Sequence, residues 1–156
     1  MAIWQCSFLL APDTEGGCDR GALEERSEEA SLWGSAQPDE EIRRTAEKVL
    51  GKSPTWSADV EIWGDESSTC LKMIQELGRI VEVIFRIDLR NIQKADLVQL
   101  LDSFRRAHVV LIDENERRCE PTLSAVRGAM MASTAWRYLQ DPRAFLASLS
   151  ESKDGD

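Results

Sequence analysis

The sequence has a single histidine, His108, and its four cysteines (Cys6, Cys18, Cys70 and Cys119) include no CxxC pair. Structural zinc needs closely spaced thiolate and imidazole pairs held by local turns, so these residues predict no metal site and no cofactor. The same scarcity weakens nucleophilic catalysis. A cysteine or serine nucleophile usually recruits histidine as its base, and His108 stands at the entrance of an apolar run, where a structural histidine is the commoner case. Cys6 and Cys70 fall in strand-like segments as small hydrophobes, and Cys18 lies among acids that suppress its thiolate. Positive charge is in deficit as well: 19 lysines and arginines against 28 acids leave a net charge of −9. An acidic surface repels phosphate backbones and anionic lipid, which sets aside nucleic acid and membrane as partners and favours a basic protein. No apolar stretch reaches the length of a membrane span, and the first residues lack the basic and apolar regions of a secretory leader. The expectation is a cytoplasmic chain with reduced thiols.

What is present is an ordinary globular balance, 42% apolar and 30% charged over 156 residues, which suits one domain spanning 1–150 and a polar, disordered tail at 151–156. The clearest pattern runs from Trp56 to Arg90 and reads as three antiparallel strands with turns at 64–68 and at Leu77-Gly78. In its last strand Val81, Val83, Phe85, Ile87 and Leu89 share one parity. Glu82, Arg86, Asp88 and Arg90 share the other, interrupted only by Ile80 and Ile84. A period of two over ten residues marks a strand with one buried and one wet face. Residues 3–10 read as a further strand with two apolar faces, hence central in its sheet, and 108–113 as a short strand buried on both sides.

Residues 13–37 differ from the rest. Seven acids face two arginines there, among glycines and serines, which predicts a mobile acidic insertion with a frayed helix over 22–32 and Trp33 docking it onto the body. Pro38-Asp39-Glu40-Glu41 opens a helix whose stripe is Ile42, Ala46, Val49 and Leu50, with Gly51 as its stop. Leu97, Leu100, Leu101 and Phe104 mark a second helix over about 93–106. A third begins at Pro121 with Leu123, Val126, Ala129 and Met130 inward, breaks near Ser133, and is followed by a last helix capped by Asp141-Pro142. The order β-α-β-β-β-α-β-α-α predicts an α+β fold: one mainly antiparallel sheet of about five strands with helices on one face, in a layout related to the ferredoxin-like β-α-β-β-α-β pattern.

No motif fixes a function. Acids near strand ends (Asp65, Glu66, Asp88 and Asp113) could pair for acid–base work, but a chain with 28 acids assembles such sets by chance, and no glycine-rich phosphate loop accompanies them. The residues favour a non-enzymatic, binding role. The candidate surface is the open face of the three-stranded unit, with Trp63, Asp59 and Glu61 from one strand and Arg86, Asp88 and Arg90 from another. Tryptophan and arginine are the types that dominate binding hot spots. The expected activity is protein–protein interaction, of the kind an inhibitor or immunity protein exerts on a basic target, or self-association. The alternative is a small enzyme or ligand-binding domain that uses the same face as a pocket floor.

Overall fold

The computed structural model describes residues 1–13, 32–34 and 36–154. Most of the acidic 13–37 segment, including Cys18, lies outside them. The described chain is α+β, with seven strands in one open antiparallel sheet and five helices. The strands are β1 (Gln5–Pro12), β2 (Lys52–Ser53), β3 (Val60–Gly64), β4 (Cys70–Glu76), β5 (Arg79–Asp88), β6 (Val109–Ile112) and β7 (Arg118–Cys119). The helices are α1 (Glu40–Val49), α2 (Lys94–Arg106), α3 (Leu123–Met131), α4 (Thr134–Gln140) and α5 (Pro142–Asp154). The count of about five strands is thus corrected to seven. The additional ones, β2 and β7, are two-residue pairings on the flanks, too short to leave any periodicity in a sequence.

The sheet runs β2-β3-β4-β5-β1-β6-β7. Strand β1 is interior, antiparallel to both β5 and β6, so β5 and β6 run the same way and straddle it while α2 connects them. That is a split β-α-β unit. Antiparallel register alternates the sheet's side chains between a helix face and an opposite face. Cys6, Phe8, Leu10, Trp63, Leu71, Met73, Val83, Phe85 and Ile87 lie on the helix face, in one buried cluster with Ile42 and Ala46 of α1 and with Leu97, Leu100, Leu101 and Phe104 of α2. Phe85 and Phe104 meet edge to face, ring centroids 5.3 Å apart. Trp33 is buried in the same cluster. On the opposite face Ala11, Val110 and Ile112 form a smaller cluster, and all four residues of β6 are buried.

Local chemistry explains the helix ends. The Asp39 carboxylate accepts the Glu41 N–H at 2.8 Å, and Gly51, at φ 76°, returns its N–H to the carbonyls of Ala46 and Glu47. Ser133 caps α4, where the sequence pattern breaks. Helix α5 extends to Asp154, into the stretch read from sequence as a polar tail. In β5 the parity pattern breaks at one point. The register moves from Ile74↔Glu82 to Gln75↔Ile80, which leaves Val81 as an unpaired bulge residue. The bulge turns Ile80 into the core, 4% exposed, where strict alternation would have put Val81.

Leu77-Gly78 is the whole loop between β4 and β5, and both residues have positive φ, 52° and 77°. Two left-handed residues in a two-residue hairpin are the preference of an Asn-Gly pair. Leu77 bears the steric cost without compensation, because its side chain is fully exposed. Replacing Leu77 by asparagine should therefore stabilise the fold by about 0.5–1 kcal/mol and raise Tm by roughly 1–4 °C. An unchanged or lower Tm in a thermal melt would show that Leu77 makes a compensating contact.

Candidate functional site

Two of the concave features of the described surface adjoin one end of the sheet, where β1 begins and β5 ends. A polar network braces this end. Asp88, only 2% exposed, accepts the backbone N–H of Arg90 at 2.9 Å and both arms of its guanidinium at 3.0 and 2.9 Å, with the Ser68 hydroxyl at 3.3 Å. The guanidinium also stacks on Trp4, 3.9 Å from the ring centroid, and the Trp4 indole donates to the Ser67 carbonyl. Gln5 donates to the carbonyls of Glu66 and Ser68. Loop 64–69, between β3 and β4, is thereby tied to β1 and β5.

Two cavities flank the start of α2 beside this network. The first, about 250 Å³, has an apolar side of Leu50, Ile87, Leu97 and Leu100 and a polar side of Asp65, Ser68, Thr69, Asn91, Gln93 and Asp96. The second is a groove of about 280 Å³ between α2, α3 and α4. Leu97, Leu123, Met130 and Trp136 line it, Ile92 and Met131 stand at its rim, and its charged lining residues are Lys94 and Arg127. Ile92 and Leu97 belong to both cavities and so form their common wall.

The six residues singled out from sequence do not share one surface. Trp63 is 1% exposed and packs in the core under α1. Glu61 lies on the same helix-covered side, paired with Arg43 of α1 at 3.2 Å and Lys52 at 3.3 Å. The parity assigned to this strand is right, but the side is reversed: Trp63 and Glu61 face the helices, and Val60 and Ile62 face away. Asp59 is exposed at the far end of the sheet, where its carbonyl accepts the Gln75 N–H. Arg86 is on the opposite face beside Cys70 and Ser7, with its Nε buried and without a hydrogen-bond partner. Asp88 and Arg90 meet each other at the near end.

No family model, curated protein or solved structure matches the chain.

Among the described residues the carboxylates with displaced ionisation, Asp65 and Asp88, are both displaced downward. Hydrogen bonds from the Ser67 N–H and hydroxyl hold Asp65 low. For Asp88 burial pushes upward, but the hydrogen bonds and charge of Arg90, with Ser68, outweigh it. A general acid at neutral pH needs the reverse shift. The thiols move away from reactivity. Burial, then Glu114, pushes Cys6 up to about 12, and burial, then Asp113, pushes Cys119 up to about 11. Burial also raises Cys70, against the pull of Arg86. At neutral pH all three remain protonated. His108 is exposed at φ 57° in the turn after α2, where its carbonyl accepts the Asp13 N–H.

Leu97, Leu123 and Met130 lie on the stripes read from sequence, whereas the rim residues Ile92 and Met131 escaped that pattern because they lie off them. Met131 follows the inward Met130 on α3, and Ile92 precedes the first turn of α2. Apolar residues displaced from a helix's buried stripe are the signal that could have found them.

Proposed function

We propose that the protein acts by binding a protein partner, and that the groove between α2, α3 and α4 is the contact surface. One observation carries this reading. Ile92 and Met131, 39% and 48% exposed, are large hydrophobic side chains left in solvent, and both stand on the rim of one apolar groove. Single exposed hydrophobics are normal, whereas a concave cluster of them marks a contact site. Methionines let such a surface adapt to its partner, and the tryptophan beneath offers contact area at small entropic cost. The acidic end cavity is the counter-candidate for chemistry, but its Asp65 holds its proton more weakly than usual, the wrong direction for an acid catalyst. Self-pairing through the sheet margins gains little support, because both margins are two-residue strands that offer few free ladder groups.

The test is affinity capture from native lysate with tagged wild type, Met131→Glu and Trp56→Ala. Trp56, 80% exposed and outside the groove, is the control for a hydrophobic residue in solvent. A stoichiometric partner should be recovered by the wild type and the Trp56 variant, and lost on the order of tenfold by Met131→Glu. Equal thermal melts would confirm intact folding, as expected for a substitution at an exposed position. Undiminished recovery by Met131→Glu would remove the groove as the contact surface.

A further inference from the structure

The groove carries a charge sign opposite to that of the whole chain. The molecule is at −9, yet the charged side chains lining the groove are Lys94 and Arg127. Both are exposed, and neither has an ion pair or hydrogen bond among the described residues. Lys94 is moreover the first residue of α2, where a cation opposes the helix dipole. Asp96 in the same turn offsets that for the helix, so Lys94 is placed for neither a cap nor a pair. With two cations as its charged lining, the groove is complementary to an incoming carboxylate.

The shape argues for an extended occupant over a small molecule. Small ligands are enclosed over 70–90% or more of their surface in formed pockets. In this groove Ile92 and Met131 remain substantially exposed and Leu123 and Trp136 are half-buried, while Leu97 and Met130 close the floor beneath them. Such surfaces receive one face of a helix, read at positions i, i+3, i+4 and i+7. We infer that the groove binds an amphipathic helix of the protein partner whose apolar stripe is flanked by carboxylates that meet Lys94 and Arg127. This rests on the reading of the groove as the contact surface and adds the chemistry of what occupies it. Net charge alone suggested a basic partner; at the contact itself the selection is for acids.

Fluorescence anisotropy with two labelled model peptides of about four helical turns tests the inference. Both carry the same leucine stripe; one has flanking glutamates and the other flanking lysines. Decanoate serves as a third probe with an apolar body and a single carboxylate. The wild type should prefer the glutamate peptide by about tenfold at low salt, with the preference shrinking as ionic strength rises. The Lys94→Glu/Arg127→Glu variant should invert the order. Equal affinity for both peptides would overturn the inference, as would decanoate binding at the groove in place of either peptide. If the Met131→Glu capture result stands while the peptides are not distinguished, the occupant's chemistry alone is wrong. If Met131→Glu has no effect on capture, the groove itself is wrong.

Discussion

Replacing Trp63 by alanine is expected to cost about 3–5 kcal/mol of folding stability, a large part of the roughly 5–15 kcal/mol that a domain possesses. Trp63 is among the largest fully buried side chains. It pairs with Leu71 of β4 on one side and Lys52 of β2 on the other, and it closes the core beneath Ile42 and Ala46. The Lys52 ammonium lies 5.8 Å from the ring centroid, at the range limit of a cation–π contact. The indole Nε1 is buried without a hydrogen-bond partner, so truncation leaves no orphaned acceptor behind. The cost is the lost apolar burial plus the cavity, and Trp63→Phe, which keeps a ring in place, should lose substantially less. Urea denaturation reads the effect as a shift in midpoint at nearly constant slope. A cost below about 1 kcal/mol would mean that the sheet collapses to fill the site.

The second large effect is at Asp88. Asp88→Ala removes the acceptor of three bonds from Arg90 and one from Ser68, at a site 2% exposed, and should cost about 3 kcal/mol at neutral pH. The cost carries a pH signature. The folded-state pKa of Asp88 lies below its unfolded value, so its contribution is fully present above the unfolded value, near 4, and is lost as pH falls through the folded one. The stability gap between wild type and Asp88→Ala should therefore be widest near neutrality and narrow on acidification below about pH 4. The Arg90 side chain is 47% exposed against 3% for that of Asp88, so the network's worth resides mainly in the buried acceptor, and Arg90→Ala should cost less than Asp88→Ala. A gap that stayed constant between pH 7 and pH 3 would show that packing, not charge, holds this end of the sheet.

These two residues also mark where the sequence stopped being legible, since both read as surface and both are buried. Strand and helix identities follow from period and capping: Asp39 before acids, Gly51 after an apolar stripe and the charged–apolar alternation of β5 each produced the expected element. Two kinds of information were hidden. Which face of a strand is covered depends on where distant helices land, and parity cannot choose between faces. Trp63 and Glu61 therefore appeared as surface when α1 lies over them. A β-bulge inserts one residue without any change in composition, so Val81 and Ile80 exchanged places. Asp88, read as wet because it alternates with Ile87, is buried because loop 64–69 closes over it through Gln5, Trp4 and Ser68. The candidate groove is assembled from residues about forty apart in the chain, Ile92 and Lys94 on one side and Met131 and Trp136 on the other. No local pattern joins them.

Site-specific photocrosslinking in native lysate, with a photoreactive phenylalanine analogue at position 131 and, separately, at position 56, tests partner binding at the groove most directly. Position 131 is expected to give adducts concentrated on one protein, at a peptide with apolar residues in helical spacing and flanking acids. Lys94→Glu/Arg127→Glu should abolish those adducts, and position 56 should give none of them. The same diffuse set of adducts from both positions, or none from position 131, would contradict a protein-binding groove between α2, α3 and α4.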